Sequence, residues 1–402
     1  MKILQLCNKP PYPPVDGGTM AMDSITQGLL SEGCEVRVLT VETDKHPLQA
    51  DLLPEAYREA TGIESVYVDL RVKPLHAAAA MFCGESYHVE RYVNINFARK
   101  LKEILQQEEF DVVHVESIFL TPYVAVIRRH SKAKVILRAH NVENLIWRSV
   151  AQSTRHGLKR WYLKHLALTL RTYEVEHVND YDGVVCITQC DADWFRSNGC
   201  RRPVTVIPFG VESETTTQTI RQSSSQAISL FHIGAMDWMP NQEGIAWLLD
   251  DIWPVVHREV PQAHLYLAGR KMPERWMKAG HEGVTVVGEV PDARQFIADK
   301  LINVVPLRSG SGIRVKIIEA MSMGKAVVTT TVGAQGINYT DGENLLIADT
   351  PADFARQVKR LASDGDYCRS VGEAARKLVA EEYDVRSLAH RLTRFYNEIT
   401  ER

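Results

Sequence analysis

PLRSGSGIRVKIIEAMSMGKAVVTTTVGAQG, residues 306–336, reads as a strand end, a glycine-rich turn and a helix that opens on Arg314 and Lys316 and carries Glu319. Gly310 and Gly312 let a backbone come close to an anion, and the first N–H groups of the helix have no partner inside it. The two cations add charge where a phosphate would sit. Glu319 follows within the early helical turns and offers an acceptor for two vicinal hydroxyls, such as those of a ribose. Together these residues predict a grip on a nucleoside diphosphate. Glycine-rich turns are common, and the plainer reading is a tight strand-to-helix turn with both cations on a solvated face.

The rest of the segment is more specific. Glu319-Ala320-Met321, the run from Gly324 through Lys325 to Thr330, and Gly333 with Gly336 resemble the donor-site block of the family 4 retaining glycosyltransferases of GT-B fold. The GSGIRVK spelling resembles a subgroup of bacterial sugar transferases. Further landmarks follow in the same order along the chain: Gly17-Gly18 after the first strand, Arg138-Ala139-His140-Asn141, His232-Ile233-Gly234, Ala268-Gly269, and Val287-Gly288-Glu289-Val290. The resemblance implies an α/β fold of two Rossmann-like domains facing a cleft, with the last helix crossing back onto the first domain. It also implies a catalytic set of His140, Arg314 and Lys316. The donor-binding set it implies is Gly17, Gly18, Gly234, Arg270, Glu289, Ser311, Gly312, Ile313 and Glu319, with no metal. Two departures stand out: the family often has two glutamates separated by seven intervening residues, and Ser311 occupies the first of these positions. The Lys-Gly or Lys-Asn that often follows the Gly234 strand is replaced by a region containing Met239-Pro240-Asn241.

At 402 residues the chain is best divided into two domains of roughly 200 residues each. The reading places an acceptor-side domain at 1–211, a polar Ser/Thr/Gln linker at 212–226, a donor-binding domain at 227–383, and a returning helix at 384–402. Short β-branched runs alternate with helical patterns in both halves, the signature of doubly wound parallel sheets. In the first half the strands are ILQLC, EVRVLTV, VYVDL, DVVHVES, KVILRAHN, GVVCIT and VTVIP, with helical patterns at Met20 to Leu30 and Tyr92 to Gln106. ISLFHIG, HLYLAG, VTVVGEV, NVVPL, AVVTT and NLLIAD form the second series. Neither half carries Gly-x-Gly-x-x-Gly after its first strand, which argues against a nicotinamide or flavin dehydrogenase.

A formal charge of -3 gives no general attraction to nucleic acid, and no nucleic-acid partner is expected. The seven cysteines follow neither a zinc spacing nor a secreted disulfide framework. With no apolar stretch long enough to span a bilayer, the expected home is the cytoplasm, and any contact with the inner face of the membrane is peripheral. One region departs from the even charge. From Arg128 to Arg171 there are eleven Lys or Arg residues and a single acid, Glu143. Trp147, Trp161, Tyr162, Leu163 and Leu166 are interleaved with these cations, as in a helix lying on anionic lipid, or equally in an ordinary amphipathic helix with its basic face in water.

Asp191-Ala192-Asp193 resembles a metal-binding Asp-x-Asp, but Thr188 three residues earlier makes it a helix start. His114-Val115-Glu116 is too sparse for a metal site, and Glu116 is read as facing the cleft. The resulting expectation is a retaining transferase that needs no cofactor or metal. It would move a hexose from a UDP- or GDP-sugar to a hydroxyl of a lipid-linked or surface-glycan precursor. Two rivals stay open at this point: a non-catalytic nucleotide-sugar binding protein, suggested by Ser311, and a nucleotide-sugar epimerase of the same fold.

Overall fold

The computed structural model describes residues 1–72, 84–211, 228–278, 280–309 and 313–401. The linker proposed at 212–226 and three residues of the glycine turn, Gly310, Ser311 and Gly312, lie outside them. The chain divides into two compact units, Met1–Gly210 with Val385–Arg402, and Val211–Asp384.

The first unit is built on seven strands: β1 (Lys2–Cys7), β2 (Glu35–Glu42), β3 (Glu64–Tyr67), β4 (Val112–Glu116), β5 (Lys134–Ala139), β6 (Gly183–Cys186) and β7 (Val204–Val206). They pair in the order β3-β2-β1-β4-β5-β6-β7, all parallel. The second unit repeats the plan with β8 (Ile228–Ile233), β9 (Ala263–Ala268), β10 (Val284–Gly288), β11 (Ile302–Val305), β12 (Ala326–Thr329) and β13 (Leu346–Ile347). Their order is β10-β9-β8-β11-β12-β13, again all parallel. Strand order reverses between β1 and β4 in one unit and between β8 and β11 in the other. Ligands of open parallel sheets bind outside the carboxyl ends of strands at such reversals.

Parallel sheets covered on both faces read as unbroken apolar runs, and the central strands β4 and β6 are buried along their whole length. The helix Val385–Thr400 belongs to the first unit. It buries Leu388, Leu392, Phe395, Tyr396 and Ile399, a helical stripe, in one core with Ile3, Met22, Ile25 and Leu29. Its approach depends on small residues opposite it. A side chain at Gly28 would come within 2.9 Å of Ala389 Cβ, and one at Gly183 would strike Ile399.

Two element boundaries and the burial of one apolar pair differ from the sequence reading. The third strand is Glu64–Tyr67 rather than VYVDL, because it pairs with the last four residues of β2, and Val68 N–H closes the ladder by donating to the Glu42 carbonyl at 2.9 Å. The helix expected from Tyr92 begins at Ile95, since the Asn94 side chain accepts from the N–H groups of Asn96 and Phe97 and so caps it. Leu163 and Leu166 are not surface residues: they are buried with Tyr87 and Ala151, and Trp147 and Tyr162 pack against them.

Candidate functional site

In the second unit, Gly234 follows β8 and the helix Val315–Ser322 delivers Lys316 beside it. A Cβ on Gly234 would lie 2.6 Å from Lys316 Nζ and 2.9 Å from Asn241 Nδ2. Lys316 Nζ donates to Asn241 Oδ1 at 2.6 Å and lies 3.4 Å from His232 Nε2. The other ring nitrogen of His232, Nδ1, is 2.8 Å from the Val304 carbonyl. A carbonyl can only accept, so Nδ1 carries the proton and Nε2 turns a lone pair to the ammonium. Burial, then the Lys316 charge, holds His232 neutral, well below its ordinary pKa. Burial, then the Arg314 charge, pushes Lys316 down to about 7. Among the described residues its hydrogen-bond partners, Asn241 and His232, are neutral, so they orient the amine without balancing its charge.

Arg314 occupies the N-cap position of this helix without making a side-chain capping bond. It is buried, with its guanidinium 5.5 Å from the Trp238 ring centre. Burial lowers its pKa to about 10, which leaves it cationic at neutral pH. Glu319 lies on the next turn, where burial raises its pKa and the Arg294 charge opposes the rise. Ile313 is half-buried just before Arg314.

Three strand ends are tied into one row by backbone hydrogen bonds. Gly234 N–H donates to Ala268 O at 3.1 Å, Met236 N–H to Arg270 O at 2.9 Å, and Gly269 N–H to Gly288 O at 2.7 Å. This brings Gly234 and half-buried Arg270 next to each other, with exposed Glu289 following the third strand end. Gly269 has φ +151°, and a side chain there would run into the Gly234 carbonyl.

Gly17, Gly18 and His140 belong to the first unit. The two glycines open the helix Gly17–Ser31, whose N-terminus is closed by a reciprocal box. Asp16 Oδ1 accepts from Thr19 N–H, and Thr19 Oγ1 accepts from Asp16 N–H, both at 2.9 Å. Lys9 Nζ donates to both Asp16 carboxylate oxygens at 2.7 Å, and a Cβ on Gly18 would lie 2.9 Å from that ammonium. Burial favours protonated Asp16, but Lys9 and the Thr19 N–H outweigh it and keep the carboxyl below its ordinary pKa.

His140 lies one residue beyond β5, with Nε2 2.6 Å from Glu116 Oε2. The sequence reading turned Glu116 towards the cleft. It is fully buried, because β4 is a central strand, and it also accepts from Gln5 Nε2 at 2.9 Å. Burial would raise the Glu116 carboxyl, but Arg138, His114 and His140 hold it well below the usual range. Asp191 is tied to its helix start: its N–H donates to Thr188 Oγ1 at 3.1 Å, and that hydroxyl donates to Asp191 Oδ2 at 2.7 Å. Of the two acids, the other, Asp193, pairs with Arg196 at 3.1 Å. Among the described residues no cluster of His, Cys, Asp or Glu could hold a metal ion.

Sequence reasoning did not single out Lys9, Trp238 or Asn241. Asn241 stood only within a departure from the family spelling, yet it is what orients Lys316.

The sequence model of Glycosyltransferase Family 4 matches residues 15–215, half of the chain, and that of Glycosyl transferases group 1 matches residues 227–364. The chain belongs to glycosyltransferase family 4. A Klebsiella pneumoniae relative, named as an uncharacterized 44.6 kDa protein in the cps region, is 22% identical over 95% of this chain and 96% of its own. The sucrose-phosphate synthase of Thermosynechococcus elongatus superposes with a TM-score of 0.72 at 15% identity, over 99% of each chain. The Anabaena protein Alr3699/HepE, solved with UDP, gives 0.67 at 14% identity over 99% of this chain and 100% of that one. Both structures share the two-domain GT-B fold of this transferase.

The two glycines of this row of strand ends should respond differently to alanine. In Gly234→Ala the new methyl meets the ends of flexible side chains, so denaturant unfolding should show a loss below about 1 kcal/mol while Lys316 is displaced. Gly269→Ala meets backbone at a strained φ and should lose about 2 kcal/mol or more. Equal losses in the two variants would contradict this geometry.

Proposed function

We propose that this transferase is a retaining, metal-independent enzyme that moves a hexose from a UDP- or GDP-sugar to a hydroxyl of a lipid-linked or surface-polysaccharide precursor. The observation that carries the reading is the grouping of two cations whose charge burial disfavours, Arg314 and Lys316, at the start of one helix, with Lys316 against the backbone row at Gly234. Breaking a glycosyl–phosphate bond leaves growing negative charge on the diphosphate. Cations already in place and stripped of water stabilise that charge more than they stabilise the bound donor. They fill the neutralising role a metal ion plays elsewhere. Alr3699/HepE solved with UDP and with UDP-glucose supports a uridine donor on the same fold.

The chemistry then needs no protein nucleophile. The bond from the anomeric carbon to the departing phosphate oxygen breaks, and the acceptor oxygen bonds to that carbon on the same face. The acceptor proton passes to the leaving phosphate. Glu319 takes the ribose hydroxyls, Gly17 and Gly18 admit the donor closely, and His140 meets the transferred sugar or the acceptor. Arg270, Glu289, Ser311, Gly312 and Ile313 complete the donor side.

A lipid-linked acceptor requires the enzyme to work at a membrane. No helix among the described residues is long and apolar enough to cross one. The helix Gly157–His177 instead buries Leu163, Leu166 and Leu170, and turns Leu158, Trp161 and Leu168 to solvent beside exposed Lys159, Arg160, Lys164 and Arg171. An apolar stripe rimmed by cations suits the inner, anionic face of the cytoplasmic membrane.

Nucleotide binding, turnover and vesicle capture test the reading. UDP- and GDP-sugars in a thermal-shift series should raise the melting temperature with one nucleotide preferred. Glu319→Gln should then weaken that nucleotide about ten- to a hundredfold with the fold intact, as expected for a hydrogen bond to a charged group. Arg314→Ala should lower turnover more than it lowers affinity for the nucleoside monophosphate. Unchanged affinity in the first variant and unchanged turnover in the second would remove this donor site. For the membrane, the protein should co-sediment with anionic vesicles at low salt and be released by high salt. Leu158→Ala combined with Trp161→Ala should reduce capture, and wild-type protein that ignores anionic vesicles at low salt would overturn the surface.

A further inference from the structure

The candidate sugar-facing histidine is the end of a buried polar chain that starts on the C-terminal helix. Tyr396 OH meets His114 Nδ1, His114 Nε2 lies 3.1 Å from Glu116 Oε1, and Glu116 Oε2 lies 2.6 Å from His140 Nε2. Gln5 Nε2 at 2.9 Å and Arg138 Nη1 at 3.4 Å also donate to the Glu116 carboxylate. Tyr396, His114, Glu116, Gln5 and Arg138 are all fully buried. A carboxylate met by donors from four side chains is ionised and can only accept, so both imidazoles direct an N–H towards it. His114 is then left with a lone pair on Nδ1, to which Tyr396 O–H donates. His140 is left with a lone pair on Nδ1 too. Its side chain is 14% exposed, and among the described residues no hydrogen bond engages that nitrogen.

We infer that Glu116 is a positioning residue that locks His140 as the Nε2–H tautomer, so that His140 meets its ligand only as a hydrogen-bond acceptor, and that Tyr396 secures the lock through His114. This rests on the proposed role of His140 towards the sugar or acceptor and specifies it. The ligand group at Nδ1 must bring a proton, as a hydroxyl does, and an anion there is rejected. The charged groups facing His140 are Glu116 on β4, Arg138 on β5 and Lys9 after β1. Burial lowers the His140 pKa, Glu116 opposes this, and Arg138 and Lys9 add to the lowering, leaving it below the ordinary imidazole value. Neutral His140 is therefore the working form, and protonation at low pH closes its accepting site.

Long-range nitrogen–proton NMR of the histidine rings in the full-length protein at pH 7.5, assigned with His140→Gln, reads the tautomer directly. The Nε2–H form is expected for His140, and the Nδ1–H form or an imidazolium overturns the inference. Tyr396→Phe removes one hydroxyl and keeps the ring. It should shift the His114 Nδ1 resonance, which loses its accepted hydrogen bond, while Glu116 keeps both rings as Nε2–H, and spectra identical to wild type would overturn the part given to Tyr396. Glu116→Gln removes the anion that raises the His140 pKa, so the acidic limb of kcat/KM for UDP-glucose hydrolysis should move to lower pH. A uniform fall in rate with the limb unmoved means a merely structural role and contradicts the proposal. Full activity in His140→Gln would overturn the role of His140 and this inference with it. A wrong tautomer would overturn the inference alone and leave the donor-site reading standing.

Discussion

The second unit is organised around the half-buried amine of Lys316, whose hydrogen-bond partners among the described residues carry no charge. Lys316 Nζ is held between the Asn241 amide oxygen and the lone pair of His232, close against Gly234. Keeping an ammonium there is costly, and the cost appears as a pKa pushed down to about 7. Each neighbouring feature follows from that placement. Gly234 has no side chain because one would collide with the amine. His232 is held neutral by burial and by the Lys316 charge, while the Val304 carbonyl fixes Nδ1 as the nitrogen that carries the proton. Gly269 lets β9 end against the Gly234 backbone, which keeps the row of strand ends close-packed. A group that relieves this imbalance must be anionic and must enter at the carboxyl ends of the strands, which is where open parallel sheets accept ligands.

The first unit meets a buried charge in the opposite way. Glu116 is supplied with partners from every side, from β1, β4 and β5, and from beyond the end of β5. A fully satisfied buried carboxylate makes a rigid anchor. The C-terminal helix joins this arrangement through Tyr396, while Leu392 and Ile399 bury apolar surface that contributes about 1.5–3 kcal/mol per side chain. Packing and chemistry therefore meet on one helix, whose inner stripe completes the core and whose tyrosine reaches the polar chain.

Much of the fold was legible because parallel sheets covered on both faces write themselves as Val- and Ile-rich runs, and every one of the thirteen strands overlaps such a run. What misled was orientation. Alternation cannot tell one face from the other in a strand buried on both, so the reading of Glu116 on β4 as facing the cleft missed that its carboxylate is fully enclosed. Strand and helix ends were set by partners rather than by propensity, as the β2 ladder and the Asn94 cap show. At the candidate site, the motif from Arg314 to Glu319 announced its charges but not their surroundings. The contact from Lys316 to Asn241 spans 75 positions and has no local signature. Leu163 and Leu166, interleaved with cations, looked like a lipid-facing surface, whereas the exposed stripe falls on Leu158, Trp161 and Leu168.

The central claim is that Lys316 awaits a diphosphate. Titration calorimetry of UDP at pH 8, repeated in buffers of different ionisation enthalpy, measures the protons taken up on binding. At that pH the phosphates are fully ionised and free Lys316, with a pKa of about 7, is mostly neutral. The bound trianion should return the proton, so net proton uptake is expected, with affinity falling towards about tenfold per pH unit above pH 7. Lys316→Arg, charged throughout, should bind without uptake. Binding of UDP to the wild-type protein with no proton uptake at pH 8 would contradict the account.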